Sequence, residues 1–246
     1  MKINHSKTEV LIIGTNLKLE QFKSKFSTIS LGNAIVNFSS SAKNLGVILD
    51  ETLSFKSQIK TVSQNCMYHL RSLNNIRSQF SKSSIQLAIH AYISTRLDYC
   101  NSLYVGLPDS TLRPLQIAQN FAARIICRQS KFTRATPLRK SLHWLPIKAR
   151  IEYKTLLFTY KALNNLAPNY ISSLLNYYEP ERDLRSSTMN LLKIPKVELK
   201  SMGHRTFTFA ASTSWNSLVL TSVPSAPSLN IFKKHLKTYL FNKYYN

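Results

Sequence analysis

Two kinds of hydrophobic pattern divide the chain: short β-branched runs near its start, and helical spacing over most of the rest. Apolar runs bounded by Gly, Ser and Asn predict strands at residues 9–14, 34–38 and 45–50. Gly46 lies inside the third run, where a glycine usually marks a bulge or a close approach of backbone. Apolar residues then recur every three or four positions, which predicts helices over residues 59–76, 85–93, 112–126, 153–163 and 229–241.

This order of elements predicts an α+β fold that is mainly α. A small antiparallel β piece comes first, and a helical bundle and a basic, partly irregular C-terminal region follow. Between about residues 180 and 226 the periodicity weakens and Ser, Thr and Pro become frequent, so this stretch is predicted to be irregular.

The chain is strongly basic, because 33 Lys and Arg against 11 Asp and Glu give a formal net charge of +22 over 246 residues. No acidic residue occurs between Asp109 and Glu152. Cations neutralise phosphates and interleaved aromatic rings stack on bases, so a nucleic acid is the favoured partner, ahead of an anionic membrane surface. The alternative is a solvated face that only keeps the protein soluble. The candidate nucleic-acid-binding residues are Arg124, Arg128, Lys131, Arg134, Arg139, Lys140, Lys148 and Arg150.

Acidic residues and histidines are too few and too scattered to indicate an active site or a metal site. Asp50 and Glu51 are adjacent, but a turn or the start of a helix is favoured over metal binding there. Asp98 stands alone on a predicted helix and is expected to pair with an arginine. His143, beside Trp144, is interpreted as a satisfied, half-buried core histidine. Three cysteines without Cys-x-x-Cys spacing indicate buried free thiols, and no glycine-rich phosphate loop or nucleophile elbow is present.

Nine short motifs follow one another along almost the whole chain. They occupy residues 7–14, 44–50, 96–103 with 106–108, 119–124, 142–146, 160–163 with 167–168, 184–187, 215–218 and 232–237. In this order they resemble the C-terminal part of the reverse transcriptase of LINE-type (non-LTR) retrotransposons, on the Jockey-like and chicken-repeat-like branch. Each motif is weak alone, and their shared order makes the resemblance specific.

The resemblance implies roles for particular segments. Residues 1–54 would be the end of the polymerase palm, in which Lys7 matches a lysine thought to help protonate the departing pyrophosphate. Leu45, Gly46 and Val47 match the primer-grip hairpin, where a glycine lets the backbone lie against the primer terminus. Residues 55–130 would be the helical thumb, and 131–246 the basic region beyond it. The implied partners are RNA and DNA, as a template–primer duplex.

The resemblance also implies what this chain does not carry. In the family, the metal-binding aspartates of the RNA-directed DNA polymerase precede the segment that Lys7 matches. We therefore expect no cofactor in this chain, although the full-length parent uses Mg²⁺, and no polymerase activity from the chain alone. Residues 133–136 depart from the family's Asp-His-Ile-Thr, and Ser212 and Val219 stand where it has proline. Such changes are typical of a decaying element copy.

Other interpretations of the chain stay open. It could be a host-adopted, non-enzymatic nucleic-acid-binding protein, or the product of a pseudogene that is not expressed. A further alternative is a module that binds a membrane surface through the C-terminal helix. The helix residues concerned are Lys233, Lys234, Leu236, Lys237, Leu240, Phe241 and Lys243. The start of the chain shows no apolar signal region and no run long enough to span a bilayer, which predicts an intracellular protein, in the cytoplasm or nucleus. The sequence predicts no particular oligomeric state.

Overall fold

The computed structural model describes residues 8–31, 34–180, 190–219, 221 and 223–245. The chain divides into two compact units, Met1–Gln64 and Asn65–Asn246. Helices make up 59% of the described residues and the described strands form two small antiparallel sheets, which confirms the predicted α+β, mainly α fold class. The division at residues 54 and 130 stays a prediction.

Two β-hairpins dominate the first unit. Strand β1 (Thr28–Leu31) pairs antiparallel with β2 (Ala34–Asn37), and β3 (Ser41–Asn44) pairs antiparallel with β4 (Val47–Asp50). In the second hairpin Asn44 faces Val47, so Leu45 and Gly46 form a two-residue turn. Their φ angles are 46° and 83°, and positive φ at both positions is typical of a type I′ turn, whose twist matches that of the two strands of a hairpin. Gly46 therefore lies in a turn and not in a bulge inside a strand.

The predicted strand at residues 9–14 is wrong. Val10 forms one isolated parallel bridge with Phe38, and the backbone N–H of Gly14 donates to the carbonyl oxygen of Glu51 at 3.0 Å. These contacts go to two different segments, so no continuous ladder forms. A short helix that the sequence pattern does not indicate, α1 (Asn16–Lys23), follows. Leu19 is its one buried residue, which is too little apolar surface to give a helical stripe.

Asp50 joins the second hairpin to the next helix. Its Oδ1 accepts backbone hydrogen bonds from Thr52 at 3.2 Å and Ser54 at 2.8 Å, and its Oδ2 accepts one from Phe55 at 2.7 Å. Burial raises the pKa of Asp50, but the hydrogen bonds together outweigh burial and hold the pKa below its ordinary value. The turn interpretation of Asp50 is therefore confirmed. Helix α2 (Lys56–Ile76) begins directly after this turn.

The longer elements of the second unit are all helices in its described part, and one isolated antiparallel bridge joins Tyr177 to Leu192. Helix α3 (Lys82–Ile89) continues through a π-helical turn (His90–Ser94) into α4 (Thr95–Asp98), and 3₁₀ turns lie at Arg77–Gln79 and Asn101–Tyr104. The remaining helices are α5 (Asp109–Ile126), α6 (Ala135–Ser141), α7 (Ile147–Leu163), α8 (Asn169–Ser172), α9 (Lys200–Gly203), α10 (Phe207–Leu218) and α11 (Leu229–Tyr245). Helices therefore occur in all the regions where apolar spacing predicts them.

Helix α7 is the centre of this unit. It contacts α5, α10 and α11, and residues on most of its circumference are buried. Tyr160 stacks on Phe232 of α11 with 4.1 Å between ring centroids, and its hydroxyl donates to the carbonyl oxygen of Ala226 at 2.8 Å. Phe232, Leu236 and Leu240 are all fully buried in this core. The core thus depends on one whole face of the C-terminal helix.

Helix α10 lies within the stretch predicted to be irregular, so that prediction is wrong for residues 207–218. The side-chain oxygen of Thr206 caps its start, accepting from the backbone N–H of Phe209 at 3.4 Å. The residues that it buries are Ala210, Ala211, Ser212, Trp215 and Leu218. Small and polar residues make up much of this face, and a pattern of large apolar residues does not detect it.

Candidate functional site

The resemblance assigns Lys7, Leu45, Gly46 and Val47 to the polymerase palm, and the structure describes the last three of them. Lys7 lies outside the described residues. Leu45 and Gly46 form the tip of the second hairpin, where Leu45 is 84% exposed, and Val47 is buried. Leu45 adopts a left-handed conformation that a branched side chain rarely takes, and such strain is often retained at positions with a function.

Two of the eight candidate cations bind other side chains of the protein through their guanidinium groups. Arg139 is buried and donates to Asn120 Oδ1 at 2.5 Å, and to the hydroxyl oxygens of Thr136 and Tyr245 at 3.3 Å each. Arg150 forms an ion pair with Asp98, through Nε to Oδ1 at 2.8 Å and through a second contact between Nη2 and Oδ2. Neither guanidinium is left for a phosphate in this arrangement. The expectation that Asp98 pairs with an arginine is confirmed.

Two more candidates have partners near the surface. Arg124 is half-buried, and its Nε donates to the carbonyl oxygen of Thr133 at 2.9 Å. Lys148 is exposed and pairs with Asp109 at 3.2 Å. An exposed ion pair such as Lys148–Asp109 contributes little to stability. Lys140 is exposed at the end of α6.

The remaining candidates lie in the segment between α5 and α6, which also carries an exposed aromatic ring. We call residues 127–134 the α5–α6 loop. Phe132 is 84% exposed, and Lys131 Nζ lies 5.0 Å from the centre of its ring. Arg128 and Arg134 are exposed in the same loop. The sequence analysis did not single out Phe132, although an aromatic residue between cations in a loop is a recognisable signal.

Backbone and side-chain hydrogen bonds hold this loop in place. The backbone N–H of Gln129 donates to the carbonyl oxygen of Arg124 at 2.9 Å, and that of Thr133 donates to Ser130 at 3.1 Å. Arg128 Nη2 donates to the carbonyl oxygen of Phe80 at 2.9 Å. The loop therefore presents Phe132 from a defined backbone, which lowers the entropy that binding would cost.

A cavity of about 320 Å³ brings together two of the sequence motifs, residues 96–103 and 142–146. We call it the α7 cavity, because Arg150, Tyr153 and Lys154 line it from one face of α7. The other lining residues are His90, Asp98, Asn101, His143, Trp144, Leu145 and Lys237. Burial, and then the nearby carboxylate of Asp98, raise the pKa of Tyr153, so its hydroxyl stays protonated at neutral pH.

His143 corrects one prediction. It is exposed and not a half-buried core histidine, while Trp144 is 7% exposed and takes the buried position. The cause is the tight connection between α6 and α7, in which His143 has a φ of 52° and turns its ring outward, against Phe241 at 5.5 Å. Its neighbour Trp144 meets the ring of His90 edge-on at 5.8 Å.

The three cysteines are free. Burial raises the pKa of Cys66 to about 11, so this thiol is unreactive at neutral pH. The prediction of buried free thiols is confirmed for Cys66, whereas Cys100 and Cys127 are only half-buried.

The membrane-surface alternative is contradicted by the position of helix α11. That alternative needs the apolar side of the helix to be available, but Leu236 and Leu240 are fully buried in the core. None of the described helices combines enough length with enough apolar character to cross a bilayer.

Within the described part of the chain, no three side chains of His, Cys, Asp or Glu lie together so that they could hold a metal ion. Comparisons with protein-family models, curated proteins and solved structures give no match to this chain. The likeness to a reverse transcriptase therefore rests on the sequence motifs.

Proposed function

We propose that this chain is the C-terminal part of a non-LTR retrotransposon reverse transcriptase and that it binds template–primer RNA and DNA. The ordered motifs support the family, whose parent activity is RNA-directed DNA polymerase. For the residues of this chain the proposed activity is nucleic-acid binding. The observation that supports binding best is the exposed Phe132 among cations in the α5–α6 loop.

The chemistry of this loop suits a junction between duplex and single strand. Lys131, Arg134 and Arg128 supply positive charge for backbone phosphates, which accounts for affinity without sequence preference. Phe132 offers one ring face to an unstacked base, and such stacking is worth about 1–3 kcal/mol per base. A template–primer offers both features, because its template continues as a single strand beyond the primer.

The test replaces Phe132 by alanine and measures binding to an RNA template annealed to a shorter DNA primer. We expect the affinity to fall about 5- to 150-fold, the equivalent of one lost base stack. Tyr170→Ala is the matched control, because Tyr170 is also an exposed aromatic residue (71% exposed), and its affinity should stay that of the unaltered chain.

A second substrate sharpens the result. A blunt RNA–DNA hybrid has no overhang, so Phe132→Ala should change its affinity little. Equal losses for Phe132→Ala and Tyr170→Ala, or no loss for either, would remove the α5–α6 loop from the interface. Equal affinity of the unaltered chain for hybrid, duplex DNA and duplex RNA would instead favour a host-adopted protein that binds through charge.

A further inference from the structure

The α7 cavity contains a buried hydrogen-bond acceptor without a partner. Asn101 is 2% exposed, and its Nδ2 donates to Asp98 Oδ1 at 3.3 Å. This bond fixes the orientation of the amide, since an oxygen in that place would face the carboxylate. Asn101 Oδ1 then has no hydrogen-bond partner among the described residues. Buried polar atoms are almost always satisfied, so this oxygen would accept from a donor group of a ligand once the side chains that shield it from solvent move.

The charge of the cavity favours an anion. The one carboxylate in its lining, Asp98, is paired with Arg150. Lys154 and Lys237 also line the cavity, and neither forms a hydrogen bond or ion pair with a described residue. The lysines, the arginine and the aspartate of the lining together carry three positive charges and one negative charge, a sum of +2. A phosphate monoester carries about −1.5 to −2 charges at pH 7 and matches this sum.

Size and aromatic lining restrict the ligand further. A volume of about 320 Å³ lies at the small end of ligand sites, which suits a single compact molecule. Trp144, Tyr153 and the two histidines place aromatic rings in the lining. His90 begins the π-helical turn, and such turns occur frequently at functional sites.

We propose that the α7 cavity binds a nucleoside monophosphate. Lys154 and Lys237 hold the phosphate monoester, and Asn101 Oδ1 accepts a hydrogen bond from the sugar or the base. The same chemistry occurs in a free nucleotide and at a 5′-phosphorylated end of a nucleic acid. This site goes beyond template–primer binding and does not depend on the α5–α6 loop.

The test titrates the full chain with uridine 5′-monophosphate by calorimetry, alongside uridine and inorganic phosphate. We expect the nucleotide to bind and Lys154→Ala/Lys237→Ala to weaken it about tenfold or more, because charge-assisted hydrogen bonds are lost. Lys161→Ala/Lys234→Ala removes the same charge from the same two helices outside the cavity and should leave binding unchanged. Asn101→Leu should weaken binding of the nucleotide and leave binding of inorganic phosphate unchanged.

Oligonucleotides distinguish the two sources of the ligand. If nucleic-acid ends occupy the cavity, a 5′-phosphorylated RNA displaces the nucleotide and its 5′-hydroxyl counterpart does not. If neither displaces it, the ligand is a free nucleotide. Absence of nucleotide binding, equal losses in both lysine pairs, or equal affinity for nucleotide and phosphate in the unaltered chain would overturn the proposal. None of these outcomes alters the expected effect of Phe132→Ala, so the two proposals can fail separately.

Discussion

Replacing Phe232 by alanine is expected to lower the free energy of unfolding of the helical unit by about 3–5 kcal/mol. The ring is fully buried in the core, stacks on Tyr160 at 4.1 Å and lies 6.3 Å from the ring of Trp215. Its loss leaves a cavity that these rigid neighbours fill only in part. Urea unfolding followed by circular dichroism measures the effect.

Phe132→Ala is the matched control for this prediction, since it is the same substitution at a phenylalanine that is 84% exposed. It should change the free energy of unfolding by less than about 0.5 kcal/mol. Similar losses of unfolding free energy in the two variants would mean that α11 does not pack on α7 as described. The apolar side of α11 would then be available to a membrane surface.

Replacing Arg150 by methionine is expected to cost about 2 kcal/mol of folding free energy. Among the described residues, the substitution leaves the amide of Asn101 as the hydrogen-bond donor to Asp98, beside a side chain that keeps a similar volume. Lys148→Met removes the same charge from the same helix, but its ion pair with Asp109 is exposed, so it should cost less than about 0.5 kcal/mol.

A double-mutant cycle completes this second prediction. The double variant Asp98→Asn/Arg150→Met should lose less folding free energy than the sum of the losses in the two single variants. In the double variant neither charge is left without its partner. Additive losses, or a cost for Lys148→Met equal to that for Arg150→Met, would contradict the role of this pair in the fold.

The sequence predicted those parts of the fold in which large apolar residues dominate one face. The stripes of α5 and α7 are of this kind, and both helices are present. Helix α10 escaped prediction because Ala and Ser form much of its buried face. The strand predicted at residues 9–14 did not form, because β propensity alone does not provide a partner strand. Residues 9–14 instead contact two separate segments of the chain.

The candidate site was predictable only in part, because its residues are far apart in the sequence and only the fold brings them together. An arginine partner for Asp98 was expected, but Arg150 is 52 positions away and only the fold identifies it. The α7 cavity combines residues from the π-helical turn to α11, so no local pattern reveals it. Arg139 lies in the acid-free stretch of the sequence, but its side chain is buried in the fold. The distribution of charge along a sequence does not show which cations are buried.

The central claim is that the α5–α6 loop contacts the phosphates of a template–primer. The most direct measurement is the salt dependence of template–primer affinity for the unaltered chain, for Lys131→Ala/Arg134→Ala, and for Lys193→Ala/Lys196→Ala, which removes two exposed cations elsewhere. If the claim holds, the log–log slope becomes shallower by about 1.4–1.8 for the loop variant and stays unchanged for the control. Equal changes in both variants, or none in the loop variant, would contradict it.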